Sequence, residues 1–313
     1  MFSFVARRIL ATVPVLLIVA VLVFLLLRLT PGDPAAIMAG DAASTEQIAQ
    51  IRANLGLDRP ILAQFGIWSG NLLAGNLGES FYYKTQVTTL IGQRLEPTLS
   101  LAALTICLAV LIAVPLGVLA AWRFGGWLDR ALMGFSVLGF SVPVFVLAYM
   151  LIWLVSLRLG WLPVQGYQRI ADGIGLWLYH LALPSITLSV LYIALIARVT
   201  RASVMDALGE DYIRTARAKG LPEFRVLVRH GLANAAVPIV TVIGIGVALL
   251  IGGVVVTESV YAIPGLGRLT VDAVLARDFP TVQGLILFFS FVYVLVNLLV
   301  DLSYVVLDPR IRY

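Results

Sequence analysis

Charge is scarce in this chain. Only 12% of its 313 residues are Asp, Glu, Lys or Arg, and 60% are hydrophobic. Soluble domains carry about 25% charged residues, so a globular domain dissolved in water is excluded as the main architecture. Cysteine is rarer still. Cys107 stands alone, which rules out an intrachain disulfide and any paired Cys/His zinc spacing. It reads as a small buried apolar residue inside the second span. Lysine occurs twice, as Lys84 after Tyr83 and Lys219 after Ala218, and neither completes a Gly-Lys-Ser/Thr phosphate-binding turn. ATP hydrolysis by this chain is therefore excluded. Histidine also occurs twice, at His180 and His230, which leaves little material for nucleophile and base chemistry. No aromatic residues alternate with basic ones as in a single-strand nucleic-acid binder, and no nucleic-acid partner is expected.

What the chain has instead is long neutral stretches. A hydrocarbon core needs about 20 apolar residues per helix. Six windows meet that length: Ile9–Leu27, Pro97–Trp122, Ala131–Leu157, Gly173–Ala197, His230–Thr257 and Phe279–Val300. Their lengths suit helices rather than barrel strands. The first window follows Arg7 and Arg8 as a signal peptide would. Its apolar run is long, however, and Arg28-Leu29-Thr30 offers no small-residue cleavage site, so it reads as a retained anchor. Six spans put both termini on one side. Arg7, Arg8, Arg123, Arg130, the cluster from Arg201 to Arg229, Arg310 and Arg312 share that side, which the positive-inside bias makes cytoplasmic. The formal net charge of +5 follows from this bias.

The expected organisation is a first transmembrane helix at 9–29, an external segment at 30–97, and a five-helix core at 98–307 carrying a cytoplasmic loop at 201–237. Pro31-Gly32 stops the first helix. Within the external segment, Ser44–Leu55 predicts a short helix with Ser44 or Thr45 as N-cap and Gly56 beyond its end. Leu62–Leu73 offers another, with Trp68 at an interface. The segment as a whole is expected to be an outside cap with little helical regularity. Pro115, Pro143, Pro184 and Pro238 punctuate the spans, either as kinks that aid packing or as hinges of a pathway.

The cytoplasmic loop is basic and helix-forming. Met205, Leu208, Tyr212 and Ala216 fall on one stripe at helical spacing. Asp206, Glu210, Arg214 and Arg217 fall on another, with Glu210 and Arg214 an i,i+4 pair. Gly220 followed by Pro222 makes a helix exit. Gly209 interrupts the pattern, which also allows two short helices. Spacing alone leaves two readings open: a helix lying on headgroups, or a helix docked in the groove of a soluble partner.

The stretch Asp211–Pro222 (DYIRTARAKGLP) resembles the coupling loop of ABC importer membrane subunits, above all the B-type permeases of dipeptide, oligopeptide, nickel and glutathione importers. Six further stretches agree: Thr30–Ala35 (TPGDPA), Gly56–Pro60 (GLDRP), Gly139–Pro143 (GFSVP), Tyr261–Arg268 (YAIPGLGR), Ala276–Gly284 (ARDFPTVQG) and Leu307–Tyr313 (LDPRIRY). The general importer pattern opens Glu-Ala-Ala. Here Arg214-Thr215-Ala216 stands at those positions with Gly220 in register, so a contact made by that acid elsewhere has no counterpart.

The resemblance implies an all-α, polytopic permease of the type I ABC importer fold, with six transmembrane helices and both termini cytoplasmic, in a bacterial inner membrane. It implies a homologous second permease, two cytoplasmic ATPase subunits that bind ATP and Mg, and an external solute-binding protein. No cofactor is expected in this chain. The implied coupling residues are Asp211, Tyr212, Arg214, Thr215, Ala216, Arg217, Lys219 and Gly220. Peptides are the implied cargo, with nickel or glutathione as alternatives.

Polar groups near the spans give further candidates. Glu258 lies at the C-terminal end of the fifth span, where the helix dipole disfavours an acid by about 0.3–1 kcal/mol. It reads as half of a structural pair, with Arg268 or Arg277 as candidates, or as part of an external gate together with Tyr261. Asp301 reads as an interhelical contact. Ser136, Ser141, Thr187, Ser189 and Thr241 could line a path or bond back to their own helices; Ser141 is kept as a pathway candidate. An intramembrane serine protease would need a second glycine beside Ser141 and a nearby base. A stand-alone secondary transporter would need midplane carboxylates, and the second and third windows contain no acid.

Overall fold

The computed structural model describes residues 2–29, 35–36, 44–54 and 56–307. Most of the TPGDPA motif and nearly all of the C-terminal LDPRIRY motif, with Arg310 and Arg312, lie outside the described residues. We label the helices α1 (Phe2–Leu29), α2 (Thr45–Asn54), α3 (Ile61–Leu73), α4 (Val87–Trp122), α5 (Trp127–Ser141), α6 (Val144–Leu151), α7 (Ile174–Gly209), α8 (Asp211–Ala218), α9 (Ala236–Gly253), α10 (Val255–Val260), α11 (Leu266–Leu275) and α12 (Phe279–Leu307). Among the described residues there is no β-strand beyond one isolated bridge, Glu79 to Gln86.

Four helical stretches are long and apolar enough to cross a membrane: Arg7–Arg28, Val87–Trp122, Ile174–Gly209 and Phe279–Val305. Two bent pairs bring the number to six when each pair is counted as one span. Trp127–Ser141 with Val144–Arg158 bends by 102°, and Glu223–Leu232 with Ala236–Ile251 bends by 62°. The third and fifth windows are therefore bent helix pairs and not the continuous helices that apolarity suggests. At the first break, Val142 and Pro143 take extended backbone. Pro143 has no N–H to continue the ladder, and its ring disfavours a helical residue before it.

Two other boundaries differ from expectation. The second span starts ten residues before Pro97, which sits inside α4, and Cys107 on that helix is exposed and not buried as expected. The fourth span does not end at Ala197, because α7 continues through Arg201 to Gly209. The first nine residues of the expected loop 201–237 are thus the end of a long helix.

The chain forms two compact units. One comprises Glu96–Gly267 and the described part of Leu295–Tyr313. Its centre is α7: 67% of that helix's most apolar window is buried, against 39% for α4. The core joins Leu101, Ala109 and Ala113 of α4, Leu132 of α5, Ala148 of α6, Leu188 and Ile196 of α7, and Leu250 of α9. Small residues permit close approach of backbones where lipid supplies no hydrophobic drive. At Gly117 an added Cβ would sit 2.7 Å from Thr200 Cβ and 2.8 Å from the Ala197 carbonyl oxygen, so the bare backbone of α4 rests directly on Thr200 and the backbone of α7.

The other unit comprises Phe2–Leu95 and Arg268–Val294. It is more regular than expected. Ser44 and Gln47 form a reciprocal capping box at the start of α2, with Gln47 N–H to Ser44 Oγ at 3.3 Å and Ser44 N–H to Gln47 Oε1 at 2.9 Å. Gly56 adopts φ +63° after α2, as the expected stop requires. Arg28 of α1 lays its fork on Gln64 Oε1 of α3 at 2.9 and 2.7 Å and stacks on Phe24. Trp68 joins Phe24 and Phe65 in an aromatic cluster with ring centroids 5.1–6.1 Å apart.

Candidate functional site

The coupling segment begins where α7 stops. Glu210 takes extended backbone, φ −74° and ψ 151°, and α8 starts at Asp211. That one non-helical residue resets the helical phase. The buried residues of α8 are Ile213 and Ala216, which cluster with Val226 and are packed by Leu208 and Leu221. The expected stripe keeps Leu208 and Ala216 but loses Tyr212, which is 40% exposed while its neighbour Ile213 is buried. The expected Glu210–Arg214 pair is also replaced. Arg214 reaches Asp211 at 3.2 Å, with both side chains exposed, a geometry worth little in water.

The exit of α8 is a complete Schellman motif. Gly220 stands at φ +75°. Its N–H reaches Arg217 O at 2.9 Å, and Leu221 N–H reaches Ala216 O at 3.3 Å. Leu221 then packs on the same apolar cluster as Ala216. Arg217 closes the turn with two bonds to Glu223, Nε to Oε2 at 3.2 Å and Nη2 to Oε1 at 2.6 Å, which hold its guanidinium above its ordinary pKa. Asp211, Tyr212, Arg214, Thr215 and Lys219 face outward, as does Phe224 beyond the turn at 78% exposure. Burial raises the pKa of the Tyr212 phenol, with Glu210 adding to the effect, so it remains a hydrogen-bond donor. Behind the segment the π-helix Val226–Leu232 brings Gly231 against Leu208. The result is a short rigid rod with an apolar back and a polar outer face.

Glu258 lies in α10 and is fully buried. Thr98 Oγ1 donates to Glu258 Oε1 at 2.6 Å and accepts Leu266 N–H at 2.8 Å. Gly265 passes so close to the carboxylate that an added Cβ would overlap it. Ile263 N–H bonds the Glu258 carbonyl at 2.8 Å. The YAIPGLGR loop is thus folded around this side chain, which faces the first residues of α11, the end of a helix that favours an anion. Tyr261 is buried too, its hydroxyl 2.7 Å from Thr187 Oγ1. Ser141 is exposed at the Val142–Pro143 break and bonds back to Val137 O at 2.8 Å. Thr187, Ser189 and Thr241 also bond back to their own helices, while Ser136 reaches across to Ala194 O at 3.3 Å.

Two acidic residues escaped the sequence reading. Asp129, in the first turn of α5, takes a two-pronged ion pair from Arg201. Asp278, inside the ARDFPTVQG motif, is fully buried. It accepts Ser80 Oγ at 2.5 Å, Phe81 N–H at 3.0 Å and Thr281 Oγ1 at 2.6 Å, pinning the 78–87 hairpin to the start of α12. Arg201 lies 72 residues from Asp129, and Ser80 lies 198 from Asp278, so no local pattern shows these contacts; of the partners named, only Thr281 is near in sequence.

Comparison with known proteins agrees with this architecture. Residues 113–313 match the family described as binding-protein-dependent transport system inner membrane component, and residues 1–102 match the N-terminal part of such membrane components. A probable peptide ABC transporter permease protein of Sinorhizobium fredii is 53% identical over 310 residues, covering 99% of each chain. A glutathione transport system permease protein of Pectobacterium atrosepticum is 45% identical over 314 residues and covers all of both. Among solved structures, an inward-facing MetNI methionine ABC transporter aligns with a TM-score of 0.59 at 18% identity, over 71% of this chain and 97% of its own. That likeness shows the fold.

Proposed function

The chain belongs to the inner-membrane components of binding-protein-dependent transport systems, and from that premise we propose that it forms half of a peptide pathway driven through α8 by a separate ATPase. It is a multi-pass permease subunit of a bacterial inner membrane. The remaining parts of the reading are ours. Both termini and α8 face the cytoplasm, 30–97 lies outside, and 98–307 is the permease core. A homologous second permease completes the pathway. Two ATPase subunits bind ATP and Mg, and an external solute-binding protein delivers the cargo.

The observation that carries the coupling role is the build of α8. Its apolar residues are spent on its own base, and its cap is satisfied internally. Tyr212, Arg214 and Lys219 are left for a partner. A helix that only lay on headgroups would turn an apolar face outward. α8 turns that face inward, which favours a protein groove. ATP-driven approach of two ATPases would draw the coupling helices together and alternate the spans between inward-open and outward-open states. Glu258 and Tyr261 would then set the shape of the external mouth, with Ser141 beside the pathway bend. A peptide passage needs width more than a tight site, so selectivity rests with the binding protein.

The test is Arg217→Glu with Gly220→Pro in the reconstituted importer. The variant should insert and assemble with its partner permease, yet lose substrate-stimulated ATP hydrolysis. Unchanged stimulation would refute the assignment of α8. Cargo is decided separately, by ligand binding to the cognate binding protein. Capture of glutathione and not of longer peptides would move this chain to the glutathione reading suggested by one of its relatives.

A further inference from the structure

α5 and α7 meet along a face with a regular register. Asp129, Leu132 and Ser136 are the buried residues of α5. Arg201 of α7 places Nε on Asp129 Oδ1 and Nη2 on Oδ2, the latter at 2.9 Å. Gly125 N–H adds a bond to Oδ2 at 3.0 Å. Seven residues further along α5, Ser136 bonds Ala194, which lies seven residues before Arg201 on the antiparallel partner. Two helical turns thus match two helical turns. At Gly139 an added Cβ would come within 3.1 Å of Ala194 Cβ.

This face has chemistry that packing alone does not require. The pair is largely buried, at 15% and 6% side-chain exposure. A buried ion pair is generally no more stabilising than apolar residues of similar volume. What a forked Arg–carboxylate contact supplies is a fixed geometry. Its position gives that geometry a use. From Arg201 the helix runs nine residues to Glu210, about 13 Å at the helical rise. There Leu208 packs on the base of α8. In the other direction α5 leads to the Val142–Pro143 bend.

We propose that Asp129 and Arg201 are positioning residues of the coupling step, clasping α5 to α7 so that a displacement of α8 reaches the bend without slip. This rests on α8 being the ATPase contact. The clasp stays closed throughout the cycle, and the two helices travel as one body.

The experiment uses the complete importer, with both permeases, ATPases and binding protein, in nanodiscs on a Cys107→Ala background. Asp129→Asn should keep basal ATP hydrolysis and lose roughly tenfold in substrate-stimulated transport, within the usual range of coupling free energies. The reversed pair, Asp129→Arg with Arg201→Asp, should recover most of that loss. A merely structural role would lower hydrolysis and transport together, and that outcome overturns the proposal. So does normal coupling in Asp129→Asn. If that variant fails to assemble, a cross-link decides. Gly139→Cys with Ala194→Cys sets two Cβ atoms near the roughly 3.5–4.5 Å span of a disulfide. The oxidised importer should transport as fast as the reduced one. Arrest on oxidation, relieved by reductant, would mean that the face opens during turnover and would sink the idea. Failure of the α8 reading is distinguishable, because the Arg217→Glu, Gly220→Pro importer would then keep its stimulation whatever Asp129→Asn does.

Discussion

Replacing Gly220 tests how far α8 depends on its exit. The residue stands at φ +75°, a region in which an L side chain crowds the following carbonyl at a cost of about 1–2 kcal/mol. An added Cβ meets nothing within 4 Å, so the cost is conformational and not steric contact with neighbours. Eight residues cannot hold a helix alone in water. α8 therefore relies on its cap and on the Ile213–Ala216–Val226 cluster. A penalty of 1–2 kcal/mol lowers the population of the capped form by up to about 5–30-fold, and the apparent affinity for the ATPase falls by the same factor. Asn tolerates the left-handed region best among non-glycine residues and should lose least; Ala should lose more, and the β-branched Val most. The assay is a titration of purified ATPase subunit against permease in nanodiscs, read as the half-saturating concentration for ATP hydrolysis. The order Gly, Asn, Ala, Val is the prediction. Equal affinities across the series, or Asn as poor as Val, would refute the view that this cap presents α8 to its partner.

Two further substitutions probe the scaffold. Gly117→Ala should destabilise the assembled permease by about 1–3 kcal/mol, the usual cost of overpacking, because the new methyl meets the Ala197 carbonyl and cannot be relieved by a side-chain rotation; thermal inactivation in detergent checks it, and an unchanged midpoint contradicts the close α4–α7 contact. Asp278→Ala should remove the acceptor of three hydrogen bonds, two of them from buried hydroxyls, and loosen the 78–87 hairpin by about 2–5 kcal/mol. With only two lysines in the chain, a lysine-specific protease reports this as faster cleavage after Lys84 at unchanged cleavage after Lys219.

The spans were legible because apolar length is a one-dimensional signal. Their breaks were not. Pro97, Pro115 and Pro184 sit inside continuous helices, whereas Pro143 marks a 102° bend. Pro115, Pro143 and Pro184 each have apolar residues beside them, and tertiary neighbours decide which ladder survives the missing donor. Pro238 falls in the first turn of α9, where N–H groups lack intrahelical partners anyway. The coupling segment was legible in its ends, since Gly220 and Pro222 act locally. Its apolar face departs from the expected stripe at Tyr212, where Ile213 is buried instead, because the extended residue at Glu210 separates α8 from α7 and breaks the continuous helical spacing. The Glu258 carboxylate was marked as unusual from its place at a helix end. The loop that closes over it became visible only with the backbone traced, and the clasping acids Asp129 and Asp278 needed partners remote in sequence.

The bend at Val142–Pro143 sets a condition on how this polypeptide can live in lipid. Each arm has 15 residues and measures about 22 Å, less than the roughly 30 Å of oily interior. Counted as one span, the pair carries its corner at depth, where hydrocarbon offers no hydrogen bonds to peptide groups outside the helical ladders. Phe140, Ser141, Val142 and Phe145 leave that corner uncovered by this chain's own residues. Shelter has to come from another protein surface or a wet cavity, so a solitary copy left in the bilayer would be an incomplete object and a natural target for quality-control proteolysis.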